Sequence, residues 1–202
     1  MGGVLKLARA IDAATEAIGK SVAWLILVSI LVSAINATVR KVFDVSSNAW
    51  LELQWYLYGA AFLLASANTL RHNEHIRIDI LYGALSRRKQ HWIDLIGHVL
   101  FLMPFVILMD IYLVPWVWLS FTSGEMSTNA GGLILWPAKA LLLGGFLLLT
   151  VQGVSEIIKK IAVMRGDMED PTPFVSSHAS AELEAEELAG EMLGEQAGES
   201  RK

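Results

Sequence analysis

The chain has 202 residues, 54% hydrophobic and 18% charged, which places it in the membrane class and excludes an ordinary soluble domain. It contains no cysteine, so disulfides, thiolate metal sites and cysteine nucleophiles are excluded. The net charge of −4 hides a division: ten of the 20 acidic residues lie beyond Gly166, so an acidic tail follows a mildly basic body.

Met1 to Lys20 sets Val4, Leu7, Ile11 and Ile18 on one helical face and Lys6, Arg9, Asp12, Glu16 and Lys20 on the other. That is the pattern of an amphipathic helix at a membrane interface, and equally of a helical extension packed on protein. Residues 21–39 carry no charge and end at Arg40 and Lys41. This run is longer than the roughly 7–15 apolar residues of a signal peptide, so a retained first span is expected.

The second expected span covers about residues 50–70, uncharged from Trp55 onward and opened by a crowd of aromatic residues that favour the headgroup zone. One of its faces holds Gln54, Ala61, Ala65 and Asn68, small or weakly polar groups that let another helix approach closely. The opposite stripe holds Glu52, Trp55, Tyr56, Gly59, Leu63 and Ser66. Arg71, Arg77, Arg87, Arg88 and Lys89 follow, the largest cluster of positive charge in the body, which marks this loop as cytoplasmic.

A third span is expected over about residues 93–120, with Pro104, Pro115 and, past its first turn, a single charge, Asp110. The connection from Phe121 to Leu135 is small, polar and acidic and suits the periplasmic side. Pro137 fits the first turn of a fourth span over about residues 136–161, because its missing N–H costs nothing there. Lys159, Lys160 and Arg165 close that span, so both termini fall in the cytoplasm. The expected fold is an all-α integral membrane protein: an amphipathic helix at 1–20, a four-helix membrane domain at 21–162 and a disordered acidic tail at 163–202.

Little here points to chemistry. An intramembrane acid is expensive, so Asp110 raises a proton or ion role; its closeness to Trp116 and Trp118 equally fits a carboxylate reaching the interface or bonding within an assembly. His72, His75, His91 and His98 cluster near the cytoplasmic edge, but haem needs axial ligands facing each other from spans, and only His98 lies within one. No P-loop, nucleophile elbow, HExxH or dinucleotide fingerprint occurs. No catalytic residue, cofactor or metal site is expected, and no nucleic-acid partner.

The motifs themselves are more specific. Glu52, Trp55 and Gly59 open a small-residue helix, followed by His75-Ile-Arg77-Ile-Asp79. Further on come Gly124-Glu125-Met-Ser127, then Asn129-Ala-Gly-Gly132, then Trp136-Pro137. In this order they resemble the small membrane subunit of tripartite ATP-independent periplasmic (TRAP) transporters, the DctQ-like family, over roughly residues 23–162. The resemblance implies a bacterial inner-membrane protein that scaffolds a large DctM-like permease subunit. It also implies a periplasmic substrate-binding protein that delivers an organic acid, and a sodium gradient that drives uptake.

On that basis Glu52, Trp55, Gly59, His75, Arg77, Asp79, Glu125, Ser127, Trp136 and Pro137 are candidates for partner interfaces. Glu52 is expected to cap its helix or meet a partner's basic group, and Arg77 with Asp79 to fix the fold of the cytoplasmic loop. The turn around Glu125 is expected to face a partner. Two other classes stay open, a membrane anchor of a redox enzyme and a free-standing small carrier; missing paired histidines and missing repeats count against them.

Overall fold

The computed structural model describes residues 2–45, 47–73, 82 and 85–171. The His75, Arg77 and Asp79 motif and the tail beyond 171 lie outside the described residues. Within them the fold is all-α: α1 (Gly2–Phe43), α2 (Asn48–His72), α3 (Arg87–Ser123) and α4 (Trp136–Arg165). Successive helices run in opposite directions, so the α3–α4 connection marks one end of the bundle, here the loop end. Gly2 and Arg165 mark the other, the terminal end.

Three of these helices, α1, α3 and α4, are long and apolar enough to cross a membrane. Helix α2 has 25 residues and a length of about 37 Å, but Glu52, Gln54, Asn68 and Arg71 dilute its apolar character. The expected second span therefore has the length of a crossing without the composition.

Residues 2–20 do not form a separate helix. They continue into the first apolar stretch as one helix of 42 residues, whose buried positions Ala8, Thr15, Val22 and Ser29 recur every seventh residue. A seven-residue repeat keeps one seam against its neighbours as the helices wind past one another. The seam runs along the Ala8–Thr15 side, while Val4 and Leu7 remain exposed.

Helix α4 is central and packs on α1, α2 and α3, and α1 also packs on α2. Where α2 meets α4, a Cβ on Gly145 would lie 2.7 Å from Leu63 Cβ, so the absence of a side chain sets this approach. Val106, Leu113 and Ser120 form the buried seam of α3, and Phe105 meets Phe146 edge-on at 6.0 Å. A π-helical stretch, Gly97–Leu102, lies just ahead of Pro104. Proline cannot donate to the regular i−4 ladder, and the wider turn lets the chain pass it without ending the helix.

Candidate functional site

At the loop end the structure joins two motifs that stand about 75 residues apart in the chain. Asn48, Glu52 and Tyr56 occupy one stripe of α2 at i, i+4 and i+8, and all three side chains hold the α3–α4 connection. Asn48 Nδ2 donates to Ala130 O at 2.9 Å, and the Tyr56 hydroxyl donates to Ile134 O at 3.2 Å. Between them the Glu52 carboxylate, buried to 6% exposure, takes three donors. Its Oε1 accepts from the Ser127 hydroxyl and from Asn129 Nδ2 at 2.8 Å, and its Oε2 accepts from the Leu133 N–H at 2.6 Å.

Among the described residues no cation takes part in this cluster. Three neutral donors disperse the charge, and the position in the first turns of α2 sets it in the favourable field of the helix dipole. The loop is shaped to reach it. Ser127 N–H donates to Leu133 O and Leu135 N–H to Glu125 O, both at 2.9 Å, making a short two-sided turn. At its tip, a Cβ on Gly132 would stand 2.6 Å from Ser127 Cβ and 2.8 Å from Glu52 Oε1, so only glycine leaves room for the carboxylate.

The base of the turn is held separately. Glu125 pairs with Lys139, whose ammonium lies 4.2 Å from the centroid of the Trp116 ring. The bond from Lys139 holds the Glu125 carboxyl below the usual carboxylate range. Trp136 meets Phe121 edge-on at 5.3 Å, and Pro137 occupies the first turn of α4. Glu52, Glu125, Ser127, Trp136 and Pro137 thus belong to one lobe. Trp55 does not join it and is 70% exposed; Gly59 has open space where a side chain would stand.

The terminal end carries a second polar assembly. Gln152 of α4 is fully buried: its Oε1 accepts from Thr15 Oγ1, and its Nε2 donates to Asp12 Oδ1 and to Glu156 Oε1, each at 2.8 Å. Lys159 Nζ lies 2.8 Å from Asp12 Oδ2 and 2.6 Å from Glu156 Oε1. The next residue reaches the other way: Lys160 Nζ lies 3.0 Å from Asp94 Oδ2 on α3, and Asp94 Oδ1 accepts from the Tyr82 hydroxyl at 2.8 Å. Two consecutive lysines on α4 therefore clamp α1 and α3. Arg71, near the end of α2, completes the ring at 3.4 Å from Glu16 of α1. Buried pairs of this kind add little net stability, but removing one partner strands a charge and is costly.

Asp110 also finds a partner inside the chain. Its Oδ2 accepts from Thr150 Oγ1 at 2.7 Å, which makes it part of the α3–α4 contact.

The motifs and the geometry meet in one comparison. A family described as "Tripartite ATP-independent periplasmic transporters, DctQ component" matches residues 10–163, about three quarters of the chain. The chain belongs to the DctQ family. It is the small membrane subunit of a TRAP transporter, and the match takes in the Glu52 lobe and both lysine clamps. No curated protein and no solved structure matches this DctQ chain.

Sequence reasoning found the Glu52 lobe as separate words and missed the terminal assembly. Asp12 reads as part of a solvated face, and Lys159 and Lys160 read as the end of a span. One signal was available: Gln152, Glu156 and Lys159 fall at i, i+4 and i+7, a polar stripe inside an otherwise apolar helix.

Proposed function

We propose that this DctQ subunit is a rigid frame for a large DctM-like permease subunit, and that α2 crosses the membrane with α1, α3 and α4. Both termini then lie in the cytoplasm and the Glu52 lobe faces the periplasm. The frame holds still while the permease moves an organic acid, delivered by a periplasmic binding protein and driven by a sodium gradient. A subunit of this kind carries no catalytic step.

One observation supports this reading above the others: the bundle is tied at both ends by its own buried polar groups. Glu52 is used up by three donors of its own chain, and Lys159 and Lys160 by carboxylates on the helices beside them. Moving parts of transporters are drawn from segments with weak local ties, whereas these ties span every helix. The outward side of the Glu125 turn, including the exposed Met126, is the surface offered to the binding protein.

The test is uptake by the reconstituted whole transporter carrying Glu52→Gln or Lys159→Met. A frame predicts less assembled complex and a lower maximal rate, with the KM for substrate and the sodium dependence unchanged. A changed KM with the complex intact would put this chain in the transport path and contradict the reading.

A further inference from the structure

The chain turns back on itself where α4 ends. Gly166 takes a positive φ of 78°, its N–H donates to Val163 O, and the Asp167 N–H donates to Ala162 O, so the last turn closes and the segment behind it reverses. The reversal brings Asp170 between α3 and α4, where its two carboxylate oxygens face different groups. Oδ2 lies 3.8 Å from His91 Nδ1 on α3, and Oδ1 lies 4.0 Å from Lys160 Nζ on α4. The side chains of His91 and Asp170 are largely shielded from water, and that of Lys160 is buried.

Charge at this corner is out of balance while His91 is neutral. Lys160 already holds Asp94 Oδ2 at 3.0 Å, so one ammonium faces two carboxylates. His91 is placed to supply the missing positive charge: its Nδ1 is closed off from water and has no hydrogen-bond partner among the described residues. Protonated, that nitrogen turns an N–H toward the Asp170 carboxylate; neutral, it leaves a shielded polar atom idle beside excess negative charge. The other charges on the packed elements are engaged or exposed. On α4, Lys159 holds Glu156 and Asp12, and Arg165 is exposed. On α3, Asp94 also accepts from the Tyr82 hydroxyl, His98 lies two turns farther along, and Arg87, Arg88 and Lys89 are exposed in the first turn, where water screens their opposing field. In the returning segment Asp167 and Glu169 are exposed.

We propose that His91 and Asp170 form a pH-operated latch on the root of the acidic tail. In acid, protonated His91 holds Asp170 between α3 and α4; in alkali, residues 167–171 let go while Lys160 and Asp94 keep the two helices clamped. Histidine is the side chain whose ordinary charge change falls between about pH 5 and 8, and no other ion pair of the terminal assembly contains one. The sign follows from the pairing: the docked segment favours the protonated ring, so docking strengthens as the pH falls and weakens as it rises. Seven glutamates follow Asp170 in the chain, so the latch fixes or frees the point from which that negative charge starts. This device is independent of whether the subunit frames a permease.

The test uses the purified full-length subunit in mild detergent. The chain has no cysteine, so Met168→Cys gives a unique site for a nitroxide label in the returning segment, and its mobility is read by electron paramagnetic resonance at about pH 5.5 and about pH 8. The ratio of immobile to mobile label should fall by about threefold to fivefold between the two, the upper range of a partly exposed ion pair. His91→Gln and Asp170→Asn should each remove the pH dependence and leave the label mobile at both values. His91→Lys, charged at both, should hold the label immobile at about pH 8. Asp170 lies outside the helices, so its variant reads the latch even where a change at His91 disturbs the fold. Equal mobility of the wild-type background at the two pH values, or a pH dependence that survives in Asp170→Asn, would overturn the proposal.

Discussion

Gln152→Leu is the sharpest probe of the terminal assembly, because leucine matches the volume of the amide and removes only its hydrogen bonds. The wild-type side chain is fully buried and makes three of them, one neutral bond with Thr15 and two to the carboxylates of Asp12 and Glu156. At about 1 kcal/mol for the neutral bond and about 1.5 kcal/mol for each charge-assisted one, the gross loss is about 4 kcal/mol. Asp12 and Glu156 keep Lys159, and the Thr15 hydroxyl can turn to a carbonyl of its own helix, which returns about 1 kcal/mol. The net cost is then about 3 kcal/mol, and no less than about 2 kcal/mol with the weaker bonds measured inside membrane proteins. The assay is reversible unfolding of the purified subunit in mixed micelles, with Thr15→Val as the single-bond control at about 1 kcal/mol. A Gln152→Leu protein within about 0.5 kcal/mol of wild type would refute the reasoning, since surface-like substitutions fall in that range.

Glu52→Gln should free the outer turn: a cysteine placed at Ala130, unique in a chain with none of its own, should label faster in the variant than in the wild-type background. Gly132→Ala should give the same signature, because its Cβ would meet Ser127 and Glu52. Glu125 should titrate below the usual carboxylate range by carbon-detected NMR and return toward it with Lys139→Met. The sign follows from that depression: the pair stabilises the turn above the usual range and stops doing so as the pH falls through the lowered value. Truncation after Pro171 should leave the fold unchanged by thermal unfolding. Truncation after Gly166 also removes Asp170, which lies 3.8 Å from His91 and 4.0 Å from Lys160, and should cost less than about 1 kcal/mol because Asp94 keeps Lys160 paired.

The helices were legible in the sequence because hydrophobic length and charge placement act locally. Runs without charge at 21–39, 95–109 and 140–155 could hardly be anything else. The Glu52 lobe was legible only in pieces. Its carboxylate and its donors are separated by 75 to 81 positions, and nothing local tells which of several polar groups a glutamate will find. Residues 2–20 leave a choice that the sequence does not make, since their pattern suits an interfacial helix and a packed extension alike. Amphipathicity fixes a division into two faces, yet here the buried seam is the small and polar side through Ala8, Asp12 and Thr15, with Val4 and Leu7 left outside. In a membrane the apolar side gains nothing by hiding from lipid, so polar and small residues become the packing face. The same inversion explains why the lysine clamps looked like the ordinary basic end of a span.

The central claim is that this chain frames a larger membrane protein, and affinity purification of the tagged subunit from its native membrane, followed by mass spectrometry, tests it most directly. The account predicts recovery of a large multi-span permease at fixed stoichiometry. Recovery of the chain alone, still able to drive uptake in vesicles, would contradict it and return attention to Asp110.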